Sequence, residues 1–213
     1  MNSELRWLKS YPETVQWDTE LQVRPVYELL EAAVAEFPDN PAIDFLGHKI
    51  SYRQLDELVA RFACGLQKLG VRPGVHVGIY LPNCPHYFIT FLGVLRAGGT
   101  VVNYSPLDAE RTLAHKIEDS QTDIMVTLDL AAFYPKMLTL LQSTRLQSLV
   151  VGAFTEFCGP VTEQQAGLLG PSVAFEANDR CHRFADLLDN AGAFQAYPLD
   201  DPNTALAVLQ YTG

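Results

Sequence analysis

The sequence predicts an α/β fold: a mostly parallel β-sheet with flanking helices, assembled from βαβ units. Three observations carry that prediction. Short apolar runs alternate with stretches of helical periodicity up to Val151, the pattern of right-handed βαβ units. The apolar runs show little polar alternation, as expected of strands covered on both faces. Glycines and prolines fall between the runs and punctuate them.

Residues 1–24 carry Trp7, Tyr11 and Trp17 with weak periodicity, and read as an arm packing those rings onto the body. Pro25 can open a helix, because its missing N–H is not needed in a first turn. Tyr27, Leu30, Val34 and Phe37 follow at helical spacing, and Pro38 ends the run. Residues 42–46 and 49–52, joined at Gly47-His48, read as a β-hairpin. Ser51 and Gln54 then form a capping-box pair, each side chain meeting an otherwise unpaired N–H. Leu55, Leu58, Val59, Phe62, Leu66 and Leu69 repeat at three and four, and Gly70 supplies a left-handed stop. Cys64 lies off this stripe and reads as an incidental thiol.

Residues 75–81 read as a buried strand, and Pro82-Asn83-Cys84-Pro85 breaks it. The helix that follows, 87–97, is apolar almost all round and is expected to be buried. Gly93 in its middle costs about 1 kcal/mol against Ala, which predicts close contact with another element. Gly98-Gly99 ends the helix and residues 100–104 resume a strand. Asp108 is expected to cap the next helix, with Leu113 and Ile117 facing inward. A strand at 124–127, a helix at 130–141 and a strand at 148–151 complete the alternation. Beyond Gly152 the pattern loosens, with one helix near 184–188, before a last strand at 205–211. The predicted organisation is an arm (1–24), an α/β core (25–151), an irregular excursion (152–202), and a strand entering a phosphate-binding loop (203–213).

Hydrophobic content of 48% against 19% charged residues indicates a globular, soluble chain. Fifteen basic against 25 acidic residues, a net charge of −10, argue against nucleic acid and a broadly basic membrane face. No apolar stretch reaches the roughly 18 residues of a membrane span. The start Met1-Asn2-Ser3-Glu4-Leu5-Arg6 lacks signal-peptide character. Cys64, Cys84, Cys158 and Cys181 are widely spaced, without C-x-x-C or zinc spacing. The expected compartment is the reducing cytoplasm, with free thiols.

Little in the interior points to catalysis. His48, His76, His86, His115 and His182 are scattered, and none pairs with a Ser or Cys nucleophile. Glu118-Asp119 and Asp200-Asp201 lack flanking ligands at metal spacing, so no catalytic residue and no metal ligand is assigned. Gly98-Gly99 follows a helix and lacks the G-x-G-x-x-G spacing, which excludes a dinucleotide fingerprint. The ending differs: Leu209-Gln210-Tyr211-Thr212-Gly213 is an apolar strand running into a hydroxyl and a glycine. Such a loop can offer hydroxyls and close backbone N–H groups to phosphate oxygens. It is not a Walker P-loop. An ordinary strand-to-turn junction has the same local form.

Three stretches together resemble the superfamily of acyl- and aryl-CoA synthetases, luciferases and adenylation domains. Lys49-Ile50-Ser51-Tyr52-Arg53-Gln54-Leu55 is similar to its early Tyr-x-x-Leu segment. The second block is Val77-Gly78-Ile79-Tyr80-Leu81-Pro82-Asn83, then Phe91-Leu92-Gly93-Val94-Leu95-Arg96-Ala97-Gly98-Gly99-Thr100-Val101-Val102-Asn103 and Pro106-Leu107. Leu206-Ala207-Val208-Leu209-Gln210-Tyr211-Thr212-Gly213 resembles the opening of its Ser/Thr/Gly-rich phosphate loop. The wording of that end, with Trp7-Leu8-Lys9-Ser10-Tyr11-Pro12, is most similar to long-chain fatty acid CoA ligases. Val75-His76 departs from the acidic-basic pair of many relatives.

The resemblance implies the N-terminal portion of an enzyme that uses ATP and Mg2+ to make an acyl-adenylate, then transfers the acyl group to CoA. It implies fatty acid, ATP and CoA as partners. Tyr211, Thr212 and Gly213 are the positions it assigns to cofactor binding, with Thr212 the first loop hydroxyl. The remaining family motifs would lie downstream, so residues 1–213 are expected to be inactive alone and to bind no cofactor tightly. Residues 152–201 lack a basic stretch that would favour peripheral membrane contact. Two alternatives stand beside this reading: an amino- or aryl-acid adenylation domain, and a stand-alone non-enzymatic α/β binding module.

Overall fold

The computed structural model describes residues 6–160, 170–199 and 201–211. Two short strands, β1 (Pro41–Phe45) and β2 (His48–Ser51), form an antiparallel hairpin. The main sheet comprises β3 (His76–Ile79), β4 (Thr100–Asn103), β5 (Thr122–Leu128), β6 (Ser148–Gly152), β7 (Cys181–Arg183) and β8 (Val208–Gln210). Every pairing within it is parallel, and the spatial order is β7-β6-β5-β3-β4-β8. The helices are α1 (Glu28–Glu36), α2 (Tyr52–Lys68), α3 (Pro85–Arg96), α4 (Glu110–Asp119), α5 (Tyr134–Ser143) and α6 (Phe184–Leu188).

The sheet is apolar on both faces. Val77, Ile124, Val126 and Val150 join one core with residues of α1, α2, α3 and α6. Met125, Leu149 and Val151 join a second core with residues of α4 and α5. Successive residues of one strand therefore serve opposite cores, which hides the two-residue period in the sequence. The connection from β3 through α3 moves outward to β4. The connection through α4 passes back across β3 to reach β5, on the other face. Connections leaving β3 and β5 thus diverge to opposite faces, which creates a switch point at their carboxyl ends.

Local sequence explains the joints. Both halves of the capping box form: Gln54 N donates to Ser51 Oγ at 3.2 Å and Ser51 N to Gln54 Oε1 at 2.9 Å. Gly70 ends α2 at φ +92°, a left-handed conformation that favours glycine. Gly93 meets α2 as its cost in a helix predicts: a Cβ there would lie 2.9 Å from Phe62. Arg96 is only 6% exposed, and its guanidinium pairs with Asp56 at 2.6 Å and Glu31 at 3.3 Å, tying α3 to α2 and α1.

Several expectations are corrected. α3 is not buried all round. Phe88 stays 47% exposed and, with Leu29, Phe91 and Leu92, lines a groove of about 550 Å3, because α2 and the sheet cover one side of α3. The rings of Trp7, Tyr11 and Trp17 pack on one another and stay about half exposed. Asp108 does not cap α4, since its carboxylate binds Lys116 Nζ at 2.7 Å and α4 begins after Ala109 without a side-chain cap. The hairpin turns at Leu46-Gly47, both at positive φ, one residue earlier than Gly47-His48. The described part of residues 152–202 is less irregular than expected: it adds β7 to the sheet and buries Phe184 and Leu187 of α6.

Candidate functional site

β8 pairs with β4 at the edge of the sheet, with Val101, Val102 and Asn103 opposite Val208, Leu209 and Gln210. The strand is short and only half-buried, so its apolar contacts hold it weakly. Thr212 and Gly213 lie outside the described residues; Tyr211 lies within them. The two strands end alike, Val101-Val102-Asn103-Tyr104 beside Val208-Leu209-Gln210-Tyr211. Alternation sends both amides to the α3 face and both tyrosines to the α4 face.

On the α4 face, Tyr104 runs back across Gly78. A Cβ at Gly78 would sit 2.8 Å from the Tyr104 ring, so glycine is what lets the ring lie flat on β3. The Tyr104 hydroxyl meets Ser120 Oγ at 2.9 Å and Thr122 Oγ1 at 2.7 Å. Burial pushes its phenol above the usual range. Tyr211 reaches the same end of α4. Its hydroxyl donates to Asp119 Oδ2 at 2.6 Å, and its ring lies 5.1 Å from Lys116 Nζ. Burial, reinforced by the neighbouring Asp119 carboxylate, pushes the Tyr211 phenol up to about 12. The side chain of Tyr211 is thus an anchor to α4, and its backbone is what faces onward to Thr212.

On the α3 face, Tyr87 Oη donates to Asn103 Oδ1 at 3.2 Å, and Asn103 Nδ2 donates to Gln210 Oε1 at 2.9 Å. Sequence reasoning missed Asn103, Tyr87, Lys116 and Asp119. The repeated apolar-apolar-amide-Tyr ending was the signal available, but it acquires meaning only once β4 and β8 are neighbours.

His86 and Cys84 have structural surroundings. His86 is 1% exposed, with Nε2 3.2 Å from Glu156 Oε2 and its ring against Phe157 and Phe184. Gly152 permits this, because a Cβ would stand 2.6 Å from the imidazole. Cys84 is buried, and burial pushes its thiol up to about 11, the opposite of an activated nucleophile. Among the described residues no three His, Cys, Asp or Glu side chains group as a metal site. No helix among the described residues is long and apolar enough to cross a membrane.

The AMP-binding enzyme family matches residues 30–213. The chain belongs to the AMP-binding enzyme family. Among curated relatives, a long-chain-fatty-acid–CoA ligase of Bacillus subtilis is 30% identical over 221 residues, covering 100% of this chain and 38% of the relative. A solved long-chain-fatty-acid-CoA ligase of Archaeoglobus fulgidus superposes with a TM-score of 0.71 at 21% identity, covering 92% of this chain and 35% of that one. An anthranilate CoA ligase solved with anthranoyl-AMP superposes with a TM-score of 0.63 at 16% identity, covering 83% of this chain and 30% of the other. These likenesses establish the shared fold, a parallel sheet flanked by helices. The chain spans little more than a third of the length of either long-chain ligase, and its match is to the N-terminal part of the family.

Proposed function

We propose that the chain is the N-terminal part of an AMP-forming fatty acid CoA ligase acting on long-chain acids. In this reading the whole protein forms an acyl-adenylate from fatty acid and ATP and then transfers the acyl group to CoA, in the cytoplasm. The supporting observation is β8: a parallel edge strand whose carboxyl end leads from Tyr211 into Thr212-Gly213, inside the family-matched region. ATP supplies the α-phosphorus that the carboxylate attacks. This chain's part is positional: Tyr211 fixes the start of the loop, and Thr212 with the Gly213 backbone offers donors to phosphate oxygens. Carboxylates for Mg2+ would come from elsewhere in the whole protein.

The test is acid-dependent ATP–pyrophosphate exchange and acyl-CoA formation by the full-length protein. Long-chain fatty acids should support both, and residues 1–213 alone should support neither. Exchange with aryl or amino acids but not with long-chain acids would overturn the substrate assignment. The anthranilate ligase among the structural neighbours is the reason to include aryl acids. Adenylate formation by residues 1–213 alone would overturn the division of labour.

A further inference from the structure

A cavity of about 370 Å3 lies at the amino ends of β4 and β8, away from the edge where β8 exits. Four pieces of chain wall it: the approach to α1 at Arg24 and Tyr27, Pro73, the Gly98-Gly99 turn, and parts of 197–207. Gly98 sits at φ +87°, and a Cβ on it would stand 2.5 Å from the Tyr197 ring, so glycine lets that ring lie against the turn. Gln67 of α2 fixes the chain just before it. Its Nε2 donates to the Gln195 carbonyl at 2.7 Å, and Gln195 N donates to its Oε1 at 2.7 Å. Another wall runs directly into β8. Thr100 Oγ1 donates to the Leu206 carbonyl at 3.2 Å, and Val101 N to the Ala207 carbonyl at 3.0 Å.

Much of the lining is apolar, from Pro25, Pro73, Pro198 and Pro202 with Leu95 and Leu206. Two phenols, Tyr27 and Tyr197, and two charged groups, Arg24 and Asp201, complete it. Burial, reinforced by Glu28 and Glu31, pushes the Tyr27 phenol above the usual range, so it stays a neutral donor. Asp201 is served by its own turn. Asn203 N and Nδ2 each donate to its Oδ1 at 2.9 Å, and Thr204 Oγ1 reaches its Oδ2 at 3.5 Å. Arg24 has no such partner among the described residues. The unmet charge decides what fits: an anionic head for the guanidinium, on an apolar body that can lie against tyrosine and proline rings.

We propose that this cavity binds a small aryl anion, a carboxylate or sulfonate, and that the bound ligand restrains the lead-in to β8. The site goes beyond the ligase reading and does not depend on it, because it lies at the end of β8 remote from Tyr211.

The probe is p-toluenesulfonate, which carries no carboxylate to activate. Titration calorimetry on the full-length protein should give a Kd of about 1 mM or tighter. Arg24→Gln should weaken binding by about tenfold, the loss of one charge-assisted hydrogen bond. Arg24→Lys, which keeps the charge, should recover most of it. Arg24 is exposed and unpartnered, so the fold should tolerate both changes. Saturating ATP and fatty acid should leave the Kd within about twofold. Amide exchange at residues 205–210 should slow by about threefold with the probe in wild type and not in Arg24→Gln. Absence of binding well above that Kd overturns the proposal, as does binding that Arg24→Gln leaves unchanged. Displacement of the probe by fatty acid overturns it too, by placing the probe in the acid pocket. Unchanged exchange at 205–210 in the bound protein overturns the link to β8.

Discussion

The carboxyl edge of the sheet has two contrasting regions, the switch point between β3 and β5 and the exit of β8. Topology alone would place a ligand at the switch point, where outgoing connections diverge. In this chain that place is filled. Tyr80 is 0% exposed there, its ring tilted against Phe133 at 5.4 Å. Its hydroxyl donates to the Pro106 carbonyl at 3.2 Å and receives Lys136 Nζ at 3.1 Å. The β8 exit has the opposite character: little buried apolar surface, and a set of side-chain hydrogen bonds. A packed aromatic fixes the first region through core energy, whereas directional polar contacts fix the second. The first should govern stability, and the second should govern where the next segment points.

The sharpest way to break this contrast is Tyr80→Ala. Removing a fully buried aromatic typically costs about 3–5 kcal/mol, and here it also removes the hydrogen bonds of its hydroxyl to half-buried Pro106 and Lys136. Urea unfolding should show a loss of that size. A loss below about 1 kcal/mol, within the range of ordinary surface substitutions, would mean that the switch point is not sealed by packing. Gly78→Ala probes the boundary between the regions. Its Cβ would meet Met125 Sδ at 2.6 Å as well as the Tyr104 ring. Overpacking of this kind costs about 1–3 kcal/mol. Combining it with Met125→Ala should cost less than the sum of the two single changes, because they compete for one space. Strict additivity would show that Gly78 is not the seat of Tyr104 and Met125.

Tyr211→Phe should cost far less, about 0.5–1.5 kcal/mol in the same unfolding experiment, the net worth of one hydrogen bond. A loss as large as that of Tyr80→Ala would erase the distinction between a sealed region and a tethered one.

How far these regions were legible follows from the same physics. α2 was readable because its cap, its stripe of leucines and Gly70 are all local signals. β7 was not: Cys181-His182-Arg183 is three residues of mixed polarity at the sheet's edge, and its pairing with β6 is non-local. α3 was read as buried because composition reports apolar residues and not which sides have partners. The strand β8 was readable from its apolar run, but its restraints were not. Tyr211 and Asp119 are brought together by strand order, which no local spacing encodes. The matching ends Asn103-Tyr104 and Gln210-Tyr211 hinted at register and needed the sheet to become a clamp.

The smallest effect is also the most specific to the exit. The Tyr211 phenol titrates near 12 in the folded protein against 10.0 for an ordinary tyrosine, held up first by burial and then by Asp119. A folded-state value raised in this way stabilises the fold in full below about pH 10. That contribution is lost as pH rises toward the folded value of about 12. Between those limits wild type should lose stability more steeply than Tyr211→Phe, measured by urea unfolding at stepped pH. Cys84, with its thiol near 11, contributes a similar slope to both proteins and cancels in the comparison. Asp119→Asn retains an acceptor but removes the charge, so near-ultraviolet tyrosinate absorbance should show Tyr211 ionising at a lower pH. If the slopes of wild type and Tyr211→Phe coincide, the hydroxyl is not held by Asp119 in solution. The exit would then be guided by the Tyr87–Asn103–Gln210 relay alone.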